Sequence, residues 1–380
     1  MTGTEIETGT GNETGTETGT GTDAVACPPL MWPGEAGELR GKLAAAARGE
    51  AFLLHAGSGT PPGAVPRAEH ITRQLTLLAQ AMVVLSYALG VPVVPVAEIH
   101  APPAADGRVG PARPPDVHRA SAMALNLVRA FSGDVRPDVS WAHELNRAFV
   151  ASSPERERAR YEPLTGRIGS ALSFLHACAG RPAVLPRPAV SRTVLADDSA
   201  LPPADGPGGG RWDPVGHLVW LHHSSAGAGC GPAAAAARIG NPLGVVVEAD
   251  TTHDAVLTLI DRLDPERSAG RLTFLTRFGA DRITDLLPEL VQKVASTEAE
   301  VVWACDPWHR NRRDPAGVLA EADAFMELHR TLGTHAGGLH LPPHHDGAAG
   351  RPGALDLVLA LAVTASDRSH PPKATAPVAE

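Results

Sequence analysis

Aromatic residues and lysines are both scarce in this chain of 380 residues. Phe, Trp and Tyr make up 4% of a sequence that is 43% hydrophobic, so Leu, Val and Ala must fill most of the core. Lysine occurs only as Lys42, Lys293 and Lys373, and all the other residues in the Lys+Arg total of 33 are arginines. A GC-rich genome accounts for most of this imbalance. It also means that an anion-binding site without one of these lysines must use arginine and histidine.

Cysteine pairs, excess positive charge and an uninterrupted apolar run are also missing. The four cysteines show no CxxC spacing, which argues against a disulfide framework and favours a reducing cytoplasm. The net charge of −9 argues against sequence-independent binding of nucleic acid. The most apolar stretch, residues 81–97, contains Gly90, Pro92 and Pro95 and does not predict a membrane span. The N-terminus also lacks signal-peptide features. From these observations together we expect a cytoplasmic protein with no nucleic-acid or membrane partner.

Composition divides the chain into a globular region and two tails. Residues 1–27 are rich in Thr, Gly and Glu, and such a segment has too few apolar side chains to bury, so we expect a disordered tail. Residues 28–365 are long enough and apolar enough to form a single large domain. The remaining residues, 366–380, are expected to form a flexible C-terminal tail.

Apolar runs and helical patterns alternate through the globular region. The runs that predict strands are residues 51–56, 91–99, 188–195, 217–221, 243–248, 271–276, 300–305 and 337–341. The patterns that predict helices are residues 68–89, 118–131, 140–150, 160–178, 252–263, 280–295 and 315–332. Apolar strands that alternate with helices are typical of a parallel sheet covered on both faces. Eight such strands predict a (β/α)8 TIM-type barrel with extra N-terminal helices, with an open doubly wound sheet as the alternative.

Polar and charged residues cluster at the ends of the predicted strands. In a barrel of this type, the chemistry lies at the C-terminal ends of the strands. The candidates at these ends are His55, Ser58, His222, His223, Arg277, Asp306, His309, His344, His345 and Asp346. Arginine suits anionic substrates and imidazole suits metal ions, so these positions predict a site for one or both.

Several long segments, all in the same order, resemble type II 3-deoxy-D-arabino-heptulosonate 7-phosphate (DAHP) synthases. They are RGEAFLLHAGSG (48–59), RASAMALNLVRAF (119–131), RIGNPLGVVV (238–247), RLTFLTRFGADRITDLLPELV (271–291), VVWACDPWHRN (301–311) and FMELHRTLGTHAGGLHL (325–341). The resemblance implies a (β/α)8 barrel that condenses phosphoenolpyruvate with erythrose 4-phosphate, a transferase reaction of the shikimate pathway. It also implies a divalent metal that polarises the aldehyde carbonyl, and arginines and a lysine that bind phosphate and carboxylate groups.

Four residues match functional positions of that family. Arg277, in LTRFGA, and Arg113, in GRVGPARPP, align with arginines that bind phosphoenolpyruvate. His309, in CDPWHRN, matches a metal-ligand histidine. Asp346 falls at the last aspartate ligand when the chain is counted back without gaps from ALDLVLALA. The resemblance therefore implies that Arg113 and Arg277 bind substrate and that His309 and Asp346 bind metal.

Other functional positions of the family carry different residues in this chain. The metal-ligand cysteine is replaced by Gly59 and the metal-ligand glutamate by Pro342, and neither can bind metal through its side chain. The catalytic lysine, in a run like NPIGVKV, is replaced by Val246. The segment WIGERTR becomes WLHHSSA, which puts His223 at the glutamate position and Ser224 at the next arginine. His223 is therefore the candidate catalytic residue of an altered site.

Histidines near the strand ends leave open whether this chain binds a metal cofactor. Three or four of these side chains could rebuild a site for a divalent ion such as Mn, Co or Zn. The candidates are His55, His222, His223, His309, His344, His345 and Asp346. The alternative is that they only fill the polar space left by the lost ligands.

Three functions remain consistent with these residues. The first is a diverged enzyme of specialised metabolism that acts on a small anion similar to phosphoenolpyruvate or a sugar phosphate. The second is the family reaction itself, weakly retained. The third is a non-catalytic scaffold or regulatory protein in which side chains such as Trp308 block the mouth of the barrel. In each case a homo-oligomer is an open alternative to a monomer.

Overall fold

The computed structural model describes most of the globular region. The described residues are 28–61, 63–100, 114–132, 138–180, 183–193, 204–205, 210–222, 231–311, 314–343 and 353–369. Helices there are α1 (Pro33–Ala47), α2 (Ala68–Leu89), α3 (Pro114–Phe131), α4 (Val139–Ser152), α5 (Glu155–Ala179), α6 (Gly231–Ala236), α7 (His253–Leu263), α8 (Ile283–Ala295), α9 (Pro315–Leu332) and α10 (Ala354–Ser369). Strands are β1 (Phe52–Ala56), β2 (Val93–Glu98), β3 (Ala189–Thr193), β4 (Ala204–Asp205), β5 (Arg211–Trp212), β6 (Leu218–His222), β7 (Leu243–Glu248), β8 (Leu272–Arg277), β9 (Val302–Cys305) and β10 (Ala336–Leu341).

The predicted barrel is confirmed. Eight parallel strands close in the order β1-β10-β9-β8-β7-β6-β3-β2, and each of the eight predicted strands overlaps one of them. The open doubly wound alternative is therefore wrong. Strands β4 and β5 form a separate antiparallel pair outside the barrel. The extra helices are α1, before the first strand, and the second and third of the three helices between β2 and β3.

Local signals at helix ends explain several of the element boundaries. Helix α2 matches its predicted range, and it ends because Gly90 takes a left-handed conformation with φ of 70°. Helix α7 begins where the Thr252 side chain accepts a hydrogen bond from the Ala255 N–H. None of the helices in the described ranges is both long and apolar enough to span a bilayer.

The lower, N-terminal half of the barrel interior is apolar. Side chains along a strand alternate between its two faces, so every second residue points inward. The inward residues that form one apolar cluster are Leu53, Val94, Val96, Leu218, Trp220, Val246, Leu275, Val302 and Ala304. Helix α1 closes the bottom of the barrel, because Leu39 and Leu43 pack into the same cluster.

The outward faces of the strands pack against the surrounding helices. Cys305 on β9 and Phe274 on β8 belong to a cluster with residues of α7, α8 and α9. Phe52 on β1 and Leu339 on β10 belong to a second cluster with residues of α2 and α10. Helix α10 continues to Ser369, which is four residues past the predicted end of the domain at position 365. The three predicted domain ranges otherwise remain predictions.

Candidate functional site

Charged side chains form the upper layer of the barrel interior. On four strands, the inward position two residues beyond the apolar cluster is charged. These positions are Glu98 after Val96, Glu248 after Val246, Arg277 after Leu275 and Asp306 after Ala304. Because the strands are parallel, these four side chains share the C-terminal mouth of the barrel. The alternation that buries the aliphatic side chains therefore also places the charges.

Arg277 and Asp306 form a buried ion pair in this layer. The Arg277 Nε–H donates to Asp306 Oδ2 across 2.8 Å, and both residues are less than a tenth exposed. Burial acts to raise the pKa of Asp306, but His340, Arg277 and His309 together lower it below its ordinary value. Asp306 is therefore a carboxylate that balances the guanidinium charge and fixes its orientation.

Glu98 is the second acid of the upper layer and is 5% exposed. Its Oε2 accepts a hydrogen bond from the Ser58 N–H at 3.1 Å, and its Oε1 accepts one from Thr193 Oγ1 at 3.4 Å. Burial raises the pKa of Glu98 to about 7, and Asp306 acts in the same direction. The Ser58 N–H, Arg277 and Thr193 act in the opposite direction but do not cancel the effect of burial.

Glu248 and His309 meet at the more exposed side of the mouth. His309 Nε2 lies 3.6 Å from Glu248 Oε1, and the two side chains are 32% and 23% exposed. Both are therefore within reach of a ligand that enters from solvent. The pair adds a third carboxylate and an imidazole to the site.

A chain of hydrogen bonds crosses the barrel just below the charged layer. Trp220 Nε1–H donates to His55 Nε2 at 3.2 Å, and Ser191 Oγ lies 2.7 Å from the same nitrogen. An indole N–H can only donate, so His55 Nε2 carries no proton. Burial lowers the pKa of His55 well below its ordinary value, which keeps the ring neutral with its proton on Nδ1. That N–H donates to His340 Nδ1 at 2.7 Å, so both histidines take part in this series of hydrogen bonds.

Comparisons with known proteins identify the family of this barrel. The model of the class-II DAHP synthetase family matches residues 20–101 and 99–345. The chain belongs to the class-II DAHP synthetase family. The phospho-2-dehydro-3-deoxyheptonate aldolase of Streptomyces coelicolor is 39% identical over 362 residues, covering 84% of this chain and 80% of the relative. The phospho-2-dehydro-3-deoxyheptonate aldolase AroG of Mycolicibacterium smegmatis is 32% identical over 363 residues, covering 83% and 77%.

These matches confirm the predicted family and, with it, the predicted enzyme class, a transferase of the 3-deoxy-7-phosphoheptulonate synthase type. They also confirm the link to the shikimate pathway and aromatic biosynthesis that the resemblance implied at the level of the family. The roles of individual residues in this chain are not settled by these matches and remain predictions.

Three of the positions at which the resemblance implies an altered residue lie within the described residues. Val246, at the lysine position, is 4% exposed and packs inside the apolar cluster. Gly59, at the cysteine position, faces open space, since a Cβ atom there would meet only Pro343, at 3.7 Å. Pro342, at the glutamate position, directly follows β10. None of the three therefore supplies a charged or metal-binding side chain.

The described donor set does not fit the metal site that the family implies. Among the residues whose positions are described, no three His, Cys, Asp or Glu side chains are grouped to hold a metal ion. His309, the one matched ligand described, lies beside Glu248 instead. His55 is taken up by its bonds to Trp220 and His340, so within these residues it does not join a rebuilt site.

Several predicted site residues lie outside the described residues. These are Arg113, His223, Ser224, His344, His345 and Asp346, together with the side chain of His222. Of the five residues to which the sequence assigns a site role, Arg277 and His309 are described, and both lie at the mouth of the barrel, while their roles remain predictions. Trp308, which the scaffold hypothesis placed across the mouth, packs against the outer cluster around Phe52 and Leu339 instead.

Sequence reasoning missed two acids of this site. Glu98 and Glu248 are absent from the candidates predicted at the strand ends, which are mostly arginines and histidines. The signal was present in the alternation: in VVPVAE and LGVVVE, the last residue is in phase with the buried valines. An acidic residue in phase with a buried face predicts an inward carboxyl group.

Proposed function

We propose that this chain is a diverged DAHP synthase-type enzyme that binds a small anion, similar to phosphoenolpyruvate or a sugar phosphate, beside Arg277. The observation that carries the proposal is the placement of Arg277. It is a buried arginine on the inward face of β8 at the mouth of the barrel, and its Nε is bonded to Asp306. A guanidinium group held at the mouth of the barrel suits an anionic ligand, because its planar fork matches carboxylate and phosphate oxygens.

Arg277 would bind the ligand through the outer edge of its guanidinium group. The Nε–H bond to Asp306 holds the plane of the group, and the two terminal nitrogens match the spacing of carboxylate or phosphate oxygens. In this proposal Arg113 adds a second positive charge and His223 transfers a proton. His309 and Asp346 remain proposed metal ligands, but no step is assigned to a metal because the described donors do not fit one.

The altered positions favour a changed reaction over the full family reaction. The condensation of the family uses a lysine and four protein ligands to a metal. Here Val246, Gly59 and Pro342 remove three of these groups. We therefore place the chain in specialised metabolism in the cytoplasm, on a substrate that retains the anionic group recognised by Arg277. Weak family activity and a non-catalytic role are the outcomes that would replace this proposal.

Binding of phosphoenolpyruvate by calorimetry tests the anion site. We expect the wild-type protein to bind and Arg277→Lys to bind about 10-fold to 100-fold more weakly, because lysine keeps the charge beside Asp306 but loses the planar fork. Arg330→Gln, which changes an exposed arginine on α9, should bind like the wild type. Equal affinity in wild type and Arg277→Lys, or no binding at any pH, contradicts the proposal.

An activity assay separates the two enzymatic alternatives. Purified protein is supplied with phosphoenolpyruvate, erythrose 4-phosphate and Mn²⁺ or Co²⁺, and inorganic phosphate is measured. We expect ligand binding without phosphate release. Phosphate release that disappears in Arg277→Lys would show that the family reaction has been retained.

A further inference from the structure

The second acid at the mouth, Glu98, is not used in the proposed contact between Arg277 and an anion. We propose that Glu98 determines ligand specificity, and that it admits an anion beside Arg277 only when its carboxyl group is protonated. The inference rests on the proposed function, because it concerns the same site. It adds a coupling between proton uptake and ligand binding.

The geometry places Glu98 inside the site. It is the last inward residue of β2, and β2 and β8 are separated by three strands in either direction around the closed barrel, so Glu98 and Arg277 face each other. Ser58 fixes one carboxyl oxygen from the end of β1, and Thr193 contacts the other from β3. Since both partners are neutral donors, neither neutralises a carboxylate at this position.

Among the described residues, two charged side chains act on Glu98. Arg277 on β8 is the cation, and Asp306, directly after β9, is the competing anion. Because Asp306 already pairs with Arg277, a charged Glu98 makes this group of three residues net negative. Burial, with a smaller contribution from Asp306, disfavours that charged form and raises the pKa of Glu98 to about 7. Near neutral pH the site therefore exists in both forms.

The two forms differ in what they offer a ligand. A protonated Glu98 leaves a neutral ion pair and adds an O–H donor, which an incoming carboxylate or phosphate oxygen can accept. An ionised Glu98 offers only acceptors and repels the same oxygen in a medium of low dielectric constant. Binding of the anion is therefore coupled to uptake of one proton, and above pH 7 the Kd should rise about tenfold per pH unit.

The test measures the Kd of phosphoenolpyruvate by calorimetry from about pH 6 to pH 9 in the wild type and two variants. Glu98→Gln is an uncharged mimic of the protonated form. Glu321→Gln is the matched control, because Glu321 is also buried, with burial raising its pKa to about 7, but it lies on α9 and bonds to the Gly279 N–H. The phosphate of the ligand itself titrates near about pH 6, and this contribution is the same in all three proteins.

We expect wild type and Glu321→Gln to lose affinity together as the pH rises, reaching a Kd about tenfold above that of Glu98→Gln at pH 8. In the wild type alone, titrations in buffers of different ionisation enthalpy should report uptake of about one proton per ligand at pH 8. This second measurement needs no variant to fold.

The other outcomes overturn the proposal in distinguishable ways. Binding with the same pH profile in wild type and Glu98→Gln keeps the anion site and removes the role of Glu98. Affinity for phosphoenolpyruvate that increases with pH in the wild type shows that an ionised Glu98 does not oppose the anion, and overturns the proposed coupling. Absence of binding even at pH 6 overturns the anion site and the role of Glu98 together.

Discussion

At the scale of the residue, the charged groups described at the mouth of the barrel are mostly acids. The Arg277 guanidinium is balanced by Asp306, and the His309 imidazole lies beside Glu248. Buried pairs of this kind gain little net stability over apolar residues, but removing one partner leaves a costly unpaired charge. Arg277 and Asp306 should therefore behave as a unit.

A double-mutant cycle tests this coupling. Arg277→Met and Asp306→Leu should each destabilise the protein by about 3–5 kcal/mol, while the double variant should lose much less, because it leaves no unpaired charge. The free energy of unfolding is measured by urea denaturation. Arg330→Met, at an exposed ion pair with Glu327, is the control and should change nothing measurable. Additive losses in the cycle would show that the pair is not a unit.

At the scale of the element, strands β6 and β7 pack closely because a tryptophan on one strand lies opposite a glycine on the other. Trp220 on β6 is paired with Gly244 on β7, and a Cβ atom at Gly244 would overlap the indole ring. The glycine in LGVVVE is thus required by packing, since its neighbour fills the space that a side chain would occupy. The same indole also holds His55, so it cannot move aside without breaking that bond.

Gly244→Ala should therefore destabilise the barrel by about 1–3 kcal/mol through overpacking. Gly59→Ala is the matched control, because the added methyl group there meets only Pro343 at an ordinary distance of 3.7 Å. Thermal unfolding of the two variants side by side distinguishes them. A Gly244→Ala protein that melts at the wild-type temperature would contradict the packing argument.

The elements themselves were largely predictable, for a physical reason. Barrel strands are buried on both faces, so each appears as a continuous apolar run, and each helix between them carries its own periodicity. No range was predicted for helices α1, α6 and α10, and α6 has only six residues. Helix α1 is rich in Ala and Gly, and α10 is apolar on most sides, so neither shows a sharp amphipathic stripe.

The site was less predictable than the fold. The resemblance located Arg277 and His309, because both lie in long matching segments. It directed attention away from Glu98, whose segment the resemblance does not cover, and it could not show that His55 is taken up by Trp220 and His340. Contacts between side chains from distant strands depend on register and closure of the barrel, which local sequence does not encode.

At the scale of the whole molecule, buried titratable groups set the pH dependence of stability. Burial lowers the pKa of several histidines: to about 4 for His100, His329 and His340, and well below its ordinary value for His55. Burial raises the pKa of two acids to about 7: Glu98 and Glu321. The histidines favour the folded state at high pH, and the acids favour it at low pH.

We expect stability to be greatest near about pH 6.5. Between about pH 4.5 and 6.5 the unfolded chain binds protons at the four histidines, while the folded chain binds them at two acids, so stability increases with pH. Above pH 6.5 only the acids contribute, and stability decreases as the folded state loses their protons. Urea denaturation at pH 5, 6.5 and 8 measures this profile. A steady increase through pH 8 would contradict it.

The hydrogen-bonded chain through Trp220, His55 and His340 has a consequence for how the strands align. A strand that slips by one residue exchanges its inward and outward side chains, which would turn the charged residue at its end toward the surrounding apolar helices. A slip of two residues keeps the same face inward and exchanges one aliphatic side chain for another, so apolar packing alone opposes it weakly. The hydrogen bonds from Trp220 to His55 and from His55 to His340 join β6 to β1 and β10 in a single register. Ser191 on β3 contacts the His55 ring. These polar contacts thus favour one strand register of the closed barrel over the other registers that aliphatic packing alone would allow.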